Sequence, residues 1–75
     1  MNLVTVESTT LVTIAYDAHQ QMLQLEFRDR VIYRYFGVPA DVYQGLLAAS
    51  SKGSYFNRSI RARFAHTRIG AQSLS

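Results

Sequence analysis

Residues 11–36, LVTIAYDAHQQMLQLEFRDRVIYRYF, decide the fold. Leu11 to Tyr16 is rich in β-branched residues and reads as a strand. Asp17-Ala18-His19-Gln20-Gln21 is polar and reads as the turn that follows, with Asp17 capping it. Met22 to Phe27 alternates cleanly: Leu23, Leu25 and Phe27 on one face, Met22, Gln24 and Glu26 on the other. Arg28-Asp29-Arg30 is a short charged turn, and Val31 to Phe36 is a third strand. Connections this short favour an antiparallel meander.

The faces follow from alternation. Val12, Ile14 and Tyr16 join Leu23, Leu25 and Phe27 on the side that must be covered, which leaves Thr13, Gln24 and Glu26 to water. The third strand offers either Val31, Tyr33 and Tyr35 or Ile32, Arg34 and Phe36. Only the first set enters the core without burying an unpaired guanidinium. Tyr33 and Tyr35 are therefore expected beneath the helices with their hydroxyls at the rim, and Arg34 and Phe36 on the open face. The competing reading makes Tyr33 and Tyr35 an exposed platform for stacking bases.

Downstream, Gly37-Val38-Pro39 breaks the extended pattern. Pro39 suits the first turn of a helix and Asp41 its positive end. A helix is expected from about 39 to 50, with Val42, Tyr43, Leu46, Leu47 and Ala49 as its apolar face. Gly45 inside it points to close packing against a neighbour. Ser50 to Ser54 interrupts that helix and supplies N-caps for a second, expected to run to Phe64 with Phe56, Ile60 and Phe64 as its buried stripe. Upstream, Leu3 to Val6 has the composition of a short extra strand. The expected fold class is α+β, a three-stranded antiparallel meander followed by two helices packed on one sheet face. The divisions are an N-terminal arm (1–8), a single domain (9–69) and a flexible tail (70–75).

The chain has 75 residues, enough for one small core, and 48% of them are hydrophobic, which suits a folded domain rather than a disordered one. It has no cysteine, which excludes disulfides, thiolate metal sites and thiol nucleophiles. No apolar run is long enough to cross a membrane, and Met1 to Glu7 lacks the cationic start and apolar stretch of a signal peptide. A cytoplasmic location is expected. No phosphate-binding glycine loop, zinc-protease helix or nucleophile elbow occurs. The two histidines, His19 in a turn and His66 beyond the second helix, suggest neither a metal nor a catalytic site. The expectation is a non-enzyme with no cofactor.

Charge is unevenly spread. Residues 1–51 hold five acids and three arginines, a sum of −2. Residues 52–75 hold Lys52, Arg58, Arg61, Arg63 and Arg68 and no acid, a sum of +5. On a helical wheel Arg58 lies nearly opposite the Phe56 stripe, Arg61 well off it, and Arg63 and Asn57 on its flanks. The candidate nucleic-acid contacts are Lys52, Arg58, Arg61, Arg63 and Arg68, with Asn57 at the rim and Tyr55 for stacking. Ser51-Lys52-Gly53-Ser54 at the helix start is a candidate anion site, where free amides, the helix dipole and an ammonium converge. It also reads as a serine cap with a glycine for close packing, and the two readings are compatible, since a cap can yield to a phosphate.

Taken together, Tyr16-Asp17, Leu23-x-Leu25-x-Phe27, Tyr33-x-Tyr35, Val38-Pro39 with Tyr43, Ser51-Lys52-Gly53-Ser54-Tyr55-Phe56-Asn57, Ile60-Arg61 and Arg68-Ile69 resemble the KTSC domain. That family is named for the C-terminus of some lysyl-tRNA synthetases and also occurs as small free-standing bacterial and phage proteins. The resemblance covers residues 8 to 69. It implies this fold and, by association with the synthetase, suggests RNA or tRNA as a partner. Relatives often place a glycine where Arg28-Asp29-Arg30 stands, a departure that bears on the geometry of that turn and not on the fold. Two functions remain open: a non-enzymatic RNA-binding module using the basic second helix, or a protein-interaction module that self-associates through the open sheet face near Ile32 and Phe36 or docks an acidic partner.

Overall fold

The computed structural model describes residues 2–71. The chain runs β1 (Asn2–Thr5), β2 (Leu11–Asp17), β3 (Met22–Phe27), β4 (Val31–Tyr35), α1 (Ala40–Ala48), α2 (Lys52–Ser59) and β5 (His66–Ala71). The class is α+β as expected, but the antiparallel sheet has five strands in the order β1-β2-β3-β4-β5, not three. β1 adds to the outer edge of β2 with Val4 opposite Ile14. β5 returns after the helices to pair with β4, Tyr35 opposite His66 and Tyr33 opposite Arg68.

Both internal turns are built by side chains. The Asp17 carboxylate accepts from the His19 and Gln20 amides at 3.0 and 3.2 Å, the capping role expected of it. In the next turn Arg30 N–H donates to the Phe27 carbonyl and Asp29 Oδ1 accepts from Val31 N–H. Arg30 takes φ +70°. This left-handed position suits glycine, and an arginine there carries a strain of roughly 1 kcal/mol. The turn keeps its shape without the glycine.

The core lies between the sheet and the two helices. Leu11, Ile14, Leu23, Leu25, Val38, Leu46 and Ile60 are fully buried, with Phe56, Tyr35 and Tyr16 nearly so. The expected β2 set was Val12, Ile14 and Tyr16. The ladder instead slips between Leu11 and Thr13, so that Leu11 sits opposite Phe27 while Thr13 sits opposite Glu26. This bulge gives the buried position to Leu11 and leaves Val12 half-buried. Tyr33 and Tyr35 lie across from Leu25 and Leu23, on the covered face. On the open face Thr13 donates to Glu26 at 3.1 Å and Arg34 Nη2 to Gln24 Oε1 at 2.7 Å. Phe36 is exposed.

α2 is shorter than its apolar stripe. It ends at Ser59, and the amides of Ile60 and Arg61 both donate to the Phe56 carbonyl, closing the helix. Residues 61–64 are turn and bend, with Phe64 half-buried, because the chain must reverse here to place β5 beside β4. β5 runs through Ala71 and so takes in the first two residues of the segment expected as a tail. Residues 72–75 lie outside the described residues.

Tyr16 ties the sheet to the start of α1. Its ring stacks on Tyr43 at 4.5 Å, and its hydroxyl donates to the Val38 carbonyl at 2.6 Å. Burial, then the nearby charges of Asp41 and Asp17, push its pKa up. Tyr16→Phe leaves a buried carbonyl short of its donor and should cost about 1–3 kcal/mol. The raised pKa means that the unfolded chain ionises first as pH climbs through about 10, so stability present below that value is lost above it. Urea titrations from pH 8 to 11 should show a shallower alkaline loss in Tyr16→Phe than in the parent. Parallel declines would show that Tyr16 does not carry the effect.

Candidate functional site

The residues singled out in the sequence divide among three places. At the start of α2, Ser51 Oγ accepts from Ser54 N–H at 3.3 Å and donates to Ser54 Oγ at 3.0 Å. This is an N-cap. Gly53 is needed for close packing, since a Cβ there would meet Thr10 Oγ1 at 2.5 Å. Lys52 is half-buried, and its ammonium donates to the Ala49 carbonyl at 3.0 Å, closing the end of α1 where a cation suits the helix dipole. A shallow hollow here is shared with Glu7, Ser8 and Thr9. Each residue of this stretch has a structural role, Ser51 and Ser54 in the cap, Lys52 on the Ala49 carbonyl and Gly53 against Thr10, and Glu7 borders the same hollow.

The second place is the outer side of α2. Tyr55 covers Gly45, where a Cβ would collide with its hydroxyl, and that hydroxyl donates to the Val42 carbonyl. The Arg58 guanidinium lies 5.8 Å from the centre of the Tyr55 ring. Tyr55 is thus a half-buried clamp between the helices with a cation over it. Arg63 Nε donates to the Arg58 carbonyl at 3.3 Å, which brings these two arginines together.

The third place was not singled out as a site. Between the covered sheet face and α2 opens a cleft of ≈590 Å³. Its sheet wall carries Tyr33, Tyr35 and His66, the His66 ring 5.5 Å from Tyr33 and 5.2 Å from Tyr35. Its helix wall carries Phe56, Asn57 and Arg61, with Arg61 Nη1 donating to Asn57 Oδ1 at 3.4 Å. Phe27 packs edge-on against both Tyr33 and Phe56. Asp29 and Val31 line the end nearest the β3–β4 turn. Burial pushes the Tyr35 pKa up, the neighbouring Tyr33 adds to this, and Arg61 pulls the other way. α2 starts with Gly53 against Thr10, whose carbonyl accepts from Arg28 N–H at the β3–β4 turn, and the chain beyond α2 leads into His66 opposite Tyr35, so Arg61 lies toward the Tyr35 end. Phe56 is the buried residue of α2 in the cleft's helix wall, and Tyr33 in the sheet wall is half-buried. Of the expected contacts, Arg61 and Asn57 border the cleft, Arg58 and Arg63 lie together, and Arg68 is exposed on β5.

Among the described residues no cluster of three or more histidines, cysteines or acids could hold a metal ion, and no helix is long and apolar enough to cross a membrane.

An antiparallel sheet backed on one face by two short helices, with an aromatic cleft between the layers, defines a small α+β module. The KTSC domain family model matches residues 7–64. The crystal structure of a KTSC domain protein from Yersinia pestis superimposes with a TM-score of 0.88 at 35% identity, covering 92% of this chain and 97% of that one. An uncharacterized protein of Stutzerimonas stutzeri is 43% identical over 58 residues, 77% of this chain and 82% of that protein. A lysine–tRNA ligase of Nostoc punctiforme is 36% identical over 58 residues, 77% of this chain but 10% of the ligase. The chain belongs to the KTSC domain family.

Proposed function

We propose that this domain is a non-enzymatic, cytoplasmic RNA-binding module that holds phosphates with Arg58, Arg61, Arg63 and Arg68. One observation carries the reading: all four arginines are exposed, and the partners of Arg61 and Arg63 are an amide oxygen and a backbone carbonyl rather than carboxylates. A guanidinium without an acid keeps its charge available to phosphate. The similarity to a short stretch of enzymes named lysine–tRNA ligase supports an RNA partner. Lys52 contributes to the local field rather than as a direct contact.

Titrating the protein with single-stranded RNA, duplex RNA and tRNA at two salt concentrations tests this. Four phosphate contacts on a single strand imply a log–log salt slope of about −3. A slope near zero, or no binding at low salt, would rule the reading out. A module that self-associates through the exposed Phe36 and the open sheet face would then take its place.

A further inference from the structure

Among the described residues the cleft beside α2 is a concave site of ligand size in which aromatic surface and a few polar groups converge, the usual make-up of a small-molecule site. Its polar groups are separated along its length. Asp29 and Val31 mark one end; Tyr35, opposite His66, marks the other. Val31 and Tyr35 are four residue steps apart on β4, about 13 Å at strand rise. The acid at the first end accepts a single backbone N–H at 3.1 Å and retains acceptor capacity. At the second end Arg61 is held by the Asn57 amide and by no carboxylate. Between them lies the ring of Tyr33, and the exposed imidazole of His66 reaches toward it from the Tyr35 end, 5.5 Å between ring centres.

An occupant matched to this layout is flat and aromatic in the middle, anionic at one end and a hydrogen-bond donor at the other. We propose that the cleft binds one nucleotide unit with an amino-bearing base, the phosphate on Arg61, the base against Tyr33 and His66, and the exocyclic amine directed to Asp29. The proposal rests on the RNA-binding reading for its biological setting. The unit is either a free mononucleotide or an unpaired nucleotide of an RNA strand. Arg58 and Arg63 do not border the cleft and would serve only the strand.

The test is an NMR titration of the full chain with adenosine monophosphate, uridine monophosphate, inorganic phosphate and a short single-stranded RNA. Adenosine monophosphate should shift Tyr33, Asn57 and His66 signals, and inorganic phosphate alone should not reproduce that pattern. Arg61→Gln should weaken mononucleotide binding about tenfold, the loss of one charge-assisted contact. Asp29→Asn keeps an oxygen for the turn and should erase the preference for adenosine over uridine monophosphate. No shifts in the cleft at millimolar mononucleotide, or identical shifts with phosphate alone, would overturn the proposal. RNA that binds while shifting only the Arg58 and Arg63 region would sink the cleft site and leave the RNA-binding reading standing. Mononucleotide binding without RNA binding would do the reverse.

Discussion

Ile60→Ala should lower the stability of this domain by about 2–5 kcal/mol, the cost of emptying a fully buried aliphatic position. Ile60 has no exposed surface and belongs to the same buried cluster as Leu25, Leu46 and Phe56. It is also the residue at which α2 stops, its amide bonded to the Phe56 carbonyl, so the side chain pins the helix end to the sheet. A domain of this length has about 4–11 kcal/mol in total. The substitution therefore removes a large part of it, and Tm should fall by roughly 10 °C or more. Phe64→Ala, at a half-buried position beyond the helix, should cost less. Urea and thermal melts of both variants check the ranking. Coincident melts for Ile60→Ala and the parent would mean that the site tolerates a cavity at no cost, contrary to the packing described.

The meander was legible because its signals were local. Alternation in Met22 to Phe27 matches the observed pairing, with Leu23 and Leu25 facing Tyr35 and Tyr33. Keeping the Arg34 guanidinium out of the core puts both tyrosines on the covered face, where they lie. What failed was non-local. β5 is an edge strand whose pairing depends on a chain reversal after α2. Its own signal, Thr67 and Ile69 alternating with His66 and Arg68, is short and interrupted by charge. Continuing the Phe56, Ile60 and Phe64 stripe as helix through Phe64 hid the strand that follows. The bulge at Val12 is likewise invisible in composition: swapping Leu11 for Val12 exchanges one apolar residue for another.

The same error concealed the cleft. With α2 drawn to Phe64, Tyr33 would be covered and His66 would follow a helix rather than face two tyrosine rings. Only once α2 ends at Ser59 do Arg61 and Asn57 stand across an open gap from the sheet. At Ser51 to Ser54 the cap and anion readings use the same hydroxyl, and the Ser51–Ser54 hydrogen bonds show it engaged as a cap.

Reversing two charges, Arg58→Glu with Arg61→Glu, should eliminate measurable RNA binding at moderate salt while leaving the fold intact. The change takes four charges from a chain whose net charge is +3, leaving −1, and all of it falls in the acid-free segment from residue 52 onward. Phosphate binding draws on counterion release, so losing two of four contacts and adding two repulsions weakens every RNA alike, whatever its sequence. The structural cost is small. Arg58 forfeits a cation–π contact with Tyr55 that is worth about 0.5–1 kcal/mol at an exposed site. Arg61 forfeits one 3.4 Å hydrogen bond to Asn57 at the surface. Circular dichroism and a melt within a few degrees of the parent should confirm folding, and fluorescence anisotropy with labelled single-stranded RNA at two salt concentrations should report the loss. A folded double variant that binds as tightly as the parent, with the same salt slope, would show that these arginines are merely solvated and that RNA, if bound, is held elsewhere.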